Sequence, residues 1–190
     1  MRKLVLNTMI ATTLASGIFA QEIKDRRENQ QDRIANGVAD GQLTAGETAN
    51  LEHKEANLNK EIAIDRKANG GNLTNNEKAR INRQQNRLSN QIYNDKHNAS
   101  TQHYGNNEVD ARRENQQDRI AQGIKSGQLT AGETAKLEGQ ESRINKEVRN
   151  DRRANGGNLT NKQKAQINRQ QNRESARIYN KKHNSATGPR

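Results

Sequence analysis

The sequence predicts an all-helical protein made of two tandem three-helix units behind an export signal. Three observations carry this. Residues 26–100 align without a gap on residues 112–186, at an offset of 86, with 52 of 75 positions identical; repetition over that length means two supersecondary units of one shape. A Leu-Thr-x-x-Glu/Gln motif follows a glycine four times. The apolar residues around those motifs recur at helical spacing.

The first element is the signal. Met1-Arg2-Lys3 gives a charged start, Leu4 to Phe19 is mostly apolar or small, and Ala20 before Gln21 is the cleavage point. The apolar run is too short, and too interrupted by Asn7, Thr8, Thr12 and Thr13, for a membrane span. No later stretch is apolar enough to insert, so no stable membrane insertion is expected after cleavage. The mature chain is placed in the periplasm or outside the cell. It contains no cysteine, which excludes disulfides and thiolate metal sites together.

Unit 1 is read as residues 21–100, a linker as 101–107, unit 2 as 108–183, and a disordered tail as 184–190. Within each unit the turns are explicit. Thr44-x-x-Glu47, Thr74-x-x-Glu77, Thr130-x-x-Glu133 and Thr160-x-x-Gln163 are capping boxes, in which the Thr oxygen takes an amide of the first turn and the third residue reaches back. Each follows a glycine, Gly41, Gly71, Gly127 or Gly157, suited to ending the preceding helix in a left-handed conformation. Helices are therefore expected over 22–37, 44–67 and 74–97, then over 108–123, 130–153 and 160–183. The short turns imply antiparallel neighbours, as hairpins or three-helix bundles.

Spacing supplies the core. Leu51, Leu58 and Ile62 share one stripe of the second helix, and Ile81, Leu88 and Ile92 share one of the third. Their counterparts are Leu137, Ile144 and Val148, then Ile167 and Ile178, with Glu174 in the place of Leu88. Glu55, Gln85, Glu141 and Gln171 lie along the same stripes; a metal or proton-relay site is one reading of them. The other is that their stems pack while their ends reach water or one another. Leu, Ile, Val and Phe make up only about 15% of the chain, so a thin core is expected, with marginal stability or a homodimer as its consequence.

Asn36 to Glu47 can be laid on a degenerate EF-hand loop, with Gly41 at the glycine position, Leu43 at the apolar one and Glu47 at the bidentate acid. Only Asp40 and Glu47 offer carboxylates there, and Val38 removes a ligand, so no metal is assigned and these two are the weak candidates. The other three loops lack the ligands altogether. No nucleophile–base constellation, phosphate loop or assignable carboxylate pair occurs, and no cofactor is implied. The expectation is a non-enzymatic protein.

Charge is the remaining signal. Residues 21–107 hold 13 Lys and Arg against 12 acids, and residues 108–190 hold 18 against 10. Between the copies Glu77 becomes Gln163, Gln91 becomes Arg177 and Asp95 becomes Lys181. The last helix is thus the basic one, with Lys162, Lys164, Arg169, Arg173, Arg177, Lys181 and Lys182 as candidate polyanion contacts. Lipopolysaccharide, acidic polysaccharide or extracellular nucleic acid are the partners this implies. Tyr93, Tyr104 and Tyr179 are the only aromatics after the signal, too few for a base-stacking platform.

Two resemblances bear on these residues. Leu159-Thr160-Asn161-Lys162-Gln163 resembles the Leu-Thr-x-x-Gln motif of Spy/CpxP-type periplasmic stress proteins; this implies a helical, exported, non-enzymatic holdase for unfolded proteins. The Gly-x-Leu-Thr-x-x-Glu, Gly-Gly-x-Leu-Thr-x-x-Glu and Ile-Tyr-x-x-Lys-His-Asn patterns together look like a family of secreted bacterial helical proteins that carries no known activity. That similarity spans both units.

Overall fold

A computed structural model of the chain describes residues 11–188, with side chains from residue 21 onward. The order is α1 (Ala11–Ala39), α2 (Ala45–Ala68), α3 (Asn75–Lys96), α4 (Glu108–Lys125), α5 (Ala131–Ala154) and α6 (Asn161–Lys182), with no strand among the described residues. The protein is all-helical. Residues 1–10 of the expected signal lie outside the described residues; from Ala11 the chain is already in α1.

The helix starts follow from local chemistry. Thr44, Thr74, Thr130 and Thr160 each cap a helix with both bonds of the capping box present. At α2 the Glu47 amide donates to Thr44 Oγ1 at 3.3 Å and the Thr44 amide donates to Glu47 Oε2 at 2.9 Å. Two orphan amides are satisfied, a contribution of about 1 kcal/mol for such a cap. Asn107 caps α4 by accepting from the Asp110 amide. Gly41 and Gly127 turn the chain between helices at φ 65° and 66°, a region that costs a side chain and not a glycine.

Within each triplet the middle helix runs against its neighbours. Glu61 of α2 takes Arg80 and Gln84 of α3, while Lys54, one end further along, takes Gln91. Helices α1 and α3 run parallel and are bolted by buried glutamines. Gln30 Nε2 donates to Gln85 O and Ser89 Oγ, and Gln85 Nε2 donates to Ile23 O. Gln116 and Gln171 repeat both bolts between α4 and α6.

The largest contacts, however, lie between the triplets, where α2 packs on α5 and α1 on α4. Small residues allow it. A Cβ placed on Gly46 would sit 3.3 Å from Ser142 Oγ, and one on Gly132 would sit 3.9 Å from Ala56 Cβ. Those two contacts run in opposite senses, so α2 and α5 cross antiparallel, related by an approximate two-fold. The main core accordingly draws on both halves: Ile34, Leu43, Leu51, Leu88 and Ile92 pack with Ile120, Leu129, Leu137 and Ile178. Satellite cores around Leu58, Ile62 and Ile81, and around Ile144, Val148 and Ile167, close the two ends. The partner surface that a thin three-helix core calls for is supplied by the other half of the chain. The segment after residue 183, expected as a disordered tail, is docked as far as Gly188, whose amide donates to Gly127 O at 2.8 Å.

Candidate functional site

The α6 candidates divide into three groups. Lys162, Arg169 and Arg173 are exposed and fall within about 40° of one another around the helix, with Arg177 about 40° to one side of Arg173. Among the described residues none of the first three has an ion-pair or hydrogen-bond partner for its side chain. Arg177 is exposed but donates to Glu174 Oε2 at 3.1 Å. Lys164 points to the far side of the helix, into a small cleft shared with Asn107, Glu108 and Arg152. Lys181 pairs with Glu133 at 3.4 Å. Lys182 is half-buried with its stem beside Gly123, and burial together with the Arg119 charge lowers its pKa. The structure thus gathers Lys162, Arg169, Arg173 and Arg177 into one stripe and leaves Lys164, Lys181 and Lys182 outside it.

Other cations belong to the same picture. Arg83 and Arg87 of α3 are the exposed counterparts of Arg169 and Arg173, and a comparison of the copies is blind to them because both copies carry them. Arg80, on the same helix, is neutralised by Glu61 at 2.6 Å and Asp65 at 2.7 Å. On α5, Arg143, Lys146, Arg149 and Arg153 are exposed. Arg143 and Arg149 stand where the first copy has Asn57 and Ala63, so the signal that singles out α6 extends to α5 as well.

Behind the basic face lies the reverse situation. Glu52, Glu55, Glu138, Glu141 and Glu174 are all fully buried, at 0% exposure. Gln31 donates to Glu52 Oε2 and Gln117 to Glu138 Oε2, and Arg177 reaches Glu174. Among the described residues the other seven carboxylate oxygens have no hydrogen-bond partner. The expectation that the ends of Glu55 and Glu141 reach water or one another fails: both lie at 0% exposure, on the faces of α2 and α5 turned away from the crossing, where the charges of Arg27 and Arg113 act on them.

An ionised carboxylate in such a place is untenable without a cation. Burial pushes Glu52 and Glu138 up to about 8 and Glu55 to about 7, raises Glu141 well above the ordinary value, and raises Glu174. Repulsion adds to burial, from Glu55 on Glu52 and from Glu52 and Glu174 on Glu138. The nearby cations are weak correctives. Arg113 has its charge taken by Asp110 at 2.8 Å, and Arg177 lies at the surface. At neutral pH Glu52 and Glu138 are therefore largely carboxylic acids, and they subtract little from the positive charge outside.

The calcium candidates have other employment. Glu47 Oε2 closes the cap and its Oε1 accepts from Asn98 at 2.7 Å, while Asp40 is exposed beyond the end of α1. Among the described residues no group of three or more acids and histidines is placed to hold a metal ion, and no helix is long and apolar enough to cross a membrane. His97 and His183 stack on Tyr93 and Tyr179, an arrangement that ends the two third helices alike. No protein-family model matches the chain, and neither a curated protein nor a solved structure shows significant similarity to it.

Proposed function

We propose that this is an exported, non-enzymatic binding protein that contacts polyanions through the outer stripe of α6. The observation that carries this reading is the segregation of charge. Lys162, Arg169 and Arg173 are exposed and unpartnered, while three of the acids formally balancing them, Glu138, Glu141 and Glu174, are buried, which raises the pKa of each. Cations spaced along one helix face suit a repeating anion such as lipopolysaccharide, an acidic polysaccharide or nucleic acid.

Export is supported by the register of the repeat. Helix α4 begins at Glu108, which aligns with Glu22, just beyond the expected cleavage after Ala20. The buried Val109 likewise aligns with the buried Ile23. The repeating unit thus starts where the signal would be removed. An apolar client surface finds less support, because the exposed large hydrophobic residues are the scattered Ile64, Tyr93 and Tyr179.

The test is binding to duplex DNA as a salt-sensitive polyanion probe. Replacing Arg169, Arg173 and Arg177 together by Gln should lower the slope of log affinity against log salt by about 1 for each phosphate no longer neutralised. The matching changes at Arg83 and Arg87 of α3 should cost less. An unchanged slope for the α6 variant contradicts the reading.

A further inference from the structure

A cleft of about 710 Å³ opens between the two halves, far from the α6 stripe. Its walls are the first turn of α2, the connection between α3 and α4, and one face of α5. That face is not the one that meets α6: Glu147, which takes Gln166 and Gln170, lies about 200° around the helix from Arg149. The cleft is in the size range of small-molecule pockets, about 300–1,000 Å³.

Its lining is cationic and hydroxylated. Arg113, Lys146, Arg149 and Arg152 line it, and no carboxylate does. The neighbouring acids are engaged elsewhere. Asp110 is buried behind the wall and holds Arg113 and Arg152, each at 2.8 Å, and Glu47 is occupied by the cap and Asn98. Lys146 and Arg149 have no side-chain partner among the described residues.

The floor is ordered before any ligand arrives. Asn145 accepts from Arg113 Nε at 2.6 Å and donates to Gln102 Oε1 at 3.2 Å. The Gln102 amide in turn donates to Gly41 O at 2.8 Å, which fixes the connection against the α1–α2 turn. Arg113 also lies over the Tyr104 ring, 5.1 Å from its centroid, so that aromatic face is taken. Ser100, Thr101 and Ser142 add hydroxyls to the walls. Ala45 and Gly46, at the start of α2, line the same space.

We propose that this cleft binds a short acidic oligosaccharide, its carboxylate or sulfate groups on Lys146 and Arg149 and its ring hydroxyls on Ser142 and the connecting segment. Charge selects the anion, and the abundance of hydroxyl and amide side chains selects a polyhydroxy ligand. The counterparts of Ser142 and Arg149 in the first copy are Ala56 and Ala63. The site therefore belongs to this one junction and is not duplicated.

The test is calorimetry of the full protein with linear trigalacturonic acid, its fully methyl-esterified neutral counterpart, and inorganic phosphate. The acid should bind, and the ester and phosphate should bind at least about tenfold more weakly, the value of one charge-assisted contact. Lys146→Gln with Arg149→Gln, both at exposed positions, should weaken the acid by at least about tenfold. Arg169→Gln with Arg173→Gln, on the other side of α5, should leave it within about twofold. Equal affinity for the ester, or absence of binding by the unaltered protein, overturns the proposal. Loss only in the α6 variant assigns the ligand to the α6 stripe and overturns it too. DNA binding by the Lys146/Arg149 variant should be retained, which keeps a failure of the cleft apart from a failure of the α6 stripe.

Discussion

The interior and the outer face of α6 place charge in opposite ways. Five glutamates lie in the interior at 0% exposure, and three cations of α6 stand outside with no partner. In the interior, burial pushes the carboxyl groups toward their neutral form, with the pKa of Glu52 and Glu138 raised to about 8. On α6, water decides the protonation state, and the bases keep their charge. A formal charge of +11 therefore understates what an approaching anion meets.

The interior, whose main core draws on both halves, should be the more fragile of the two regions. Leu137→Ala, in the core shared by both halves, should cost about 2–5 kcal/mol and lower a single unfolding transition, measured by chemical denaturation with helix content as the probe. Two separate transitions, one unaffected by the change, would mean that the halves fold apart and that this core does not join them.

The next largest effect is on pH dependence. Glu52 and Glu138 titrate near 8 and Glu55 near 7 in the folded protein, against ordinary values near 4.5 in the unfolded chain. The folded state thus holds more protons between those limits. These three groups should make the protein less stable as the pH rises from about 4.5 toward 8. Glu174→Leu restores the residue of the first copy, Leu88. It should raise stability at pH 8 by about 1–4 kcal/mol and flatten the pH profile, as read from denaturation midpoints at pH 5 and pH 8.

Smaller effects belong to the surface. Thr160→Ala removes the cap of α6 and should cost about 1 kcal/mol by thermal unfolding. Arg169→Gln with Arg173→Gln should change stability by no more than about 0.5 kcal/mol while weakening polyanion binding. A large stability loss from that pair would mean that the stripe is structural.

Much of the fold is readable from the chain because local chemistry sets it. The four capping boxes and the turn glycines place α2, α3, α5 and α6 to within one residue. Leu51, Ile81, Leu137 and Ile167 face inward as their spacing requires. What local chemistry does not set is which second surface each helix covers. Gly46 with Ala49, and Gly132 with Ala135, look like ordinary first-turn residues until α2 and α5 are seen to cross there. Glu55 and Glu141 sit on the apolar stripes in plain view, yet an acid beside a core and an acid sealed within one have the same sequence. Glu52 and Glu138 lie off those stripes and give no local sign of burial. The same holds outside: Lys181 belongs by composition with Arg169 and Arg173, and only packing brings it to Glu133.

The separation of buried acids from exposed bases is tested most directly by counting protons on unfolding. Unfolded at pH 6.5 in weakly buffered solution, the protein should release about three protons per chain from Glu52, Glu55 and Glu138 as they return to ordinary acidity. Release of none, or uptake, would mean that these glutamates are ionised in the folded state and that the interior is not the neutral one described above.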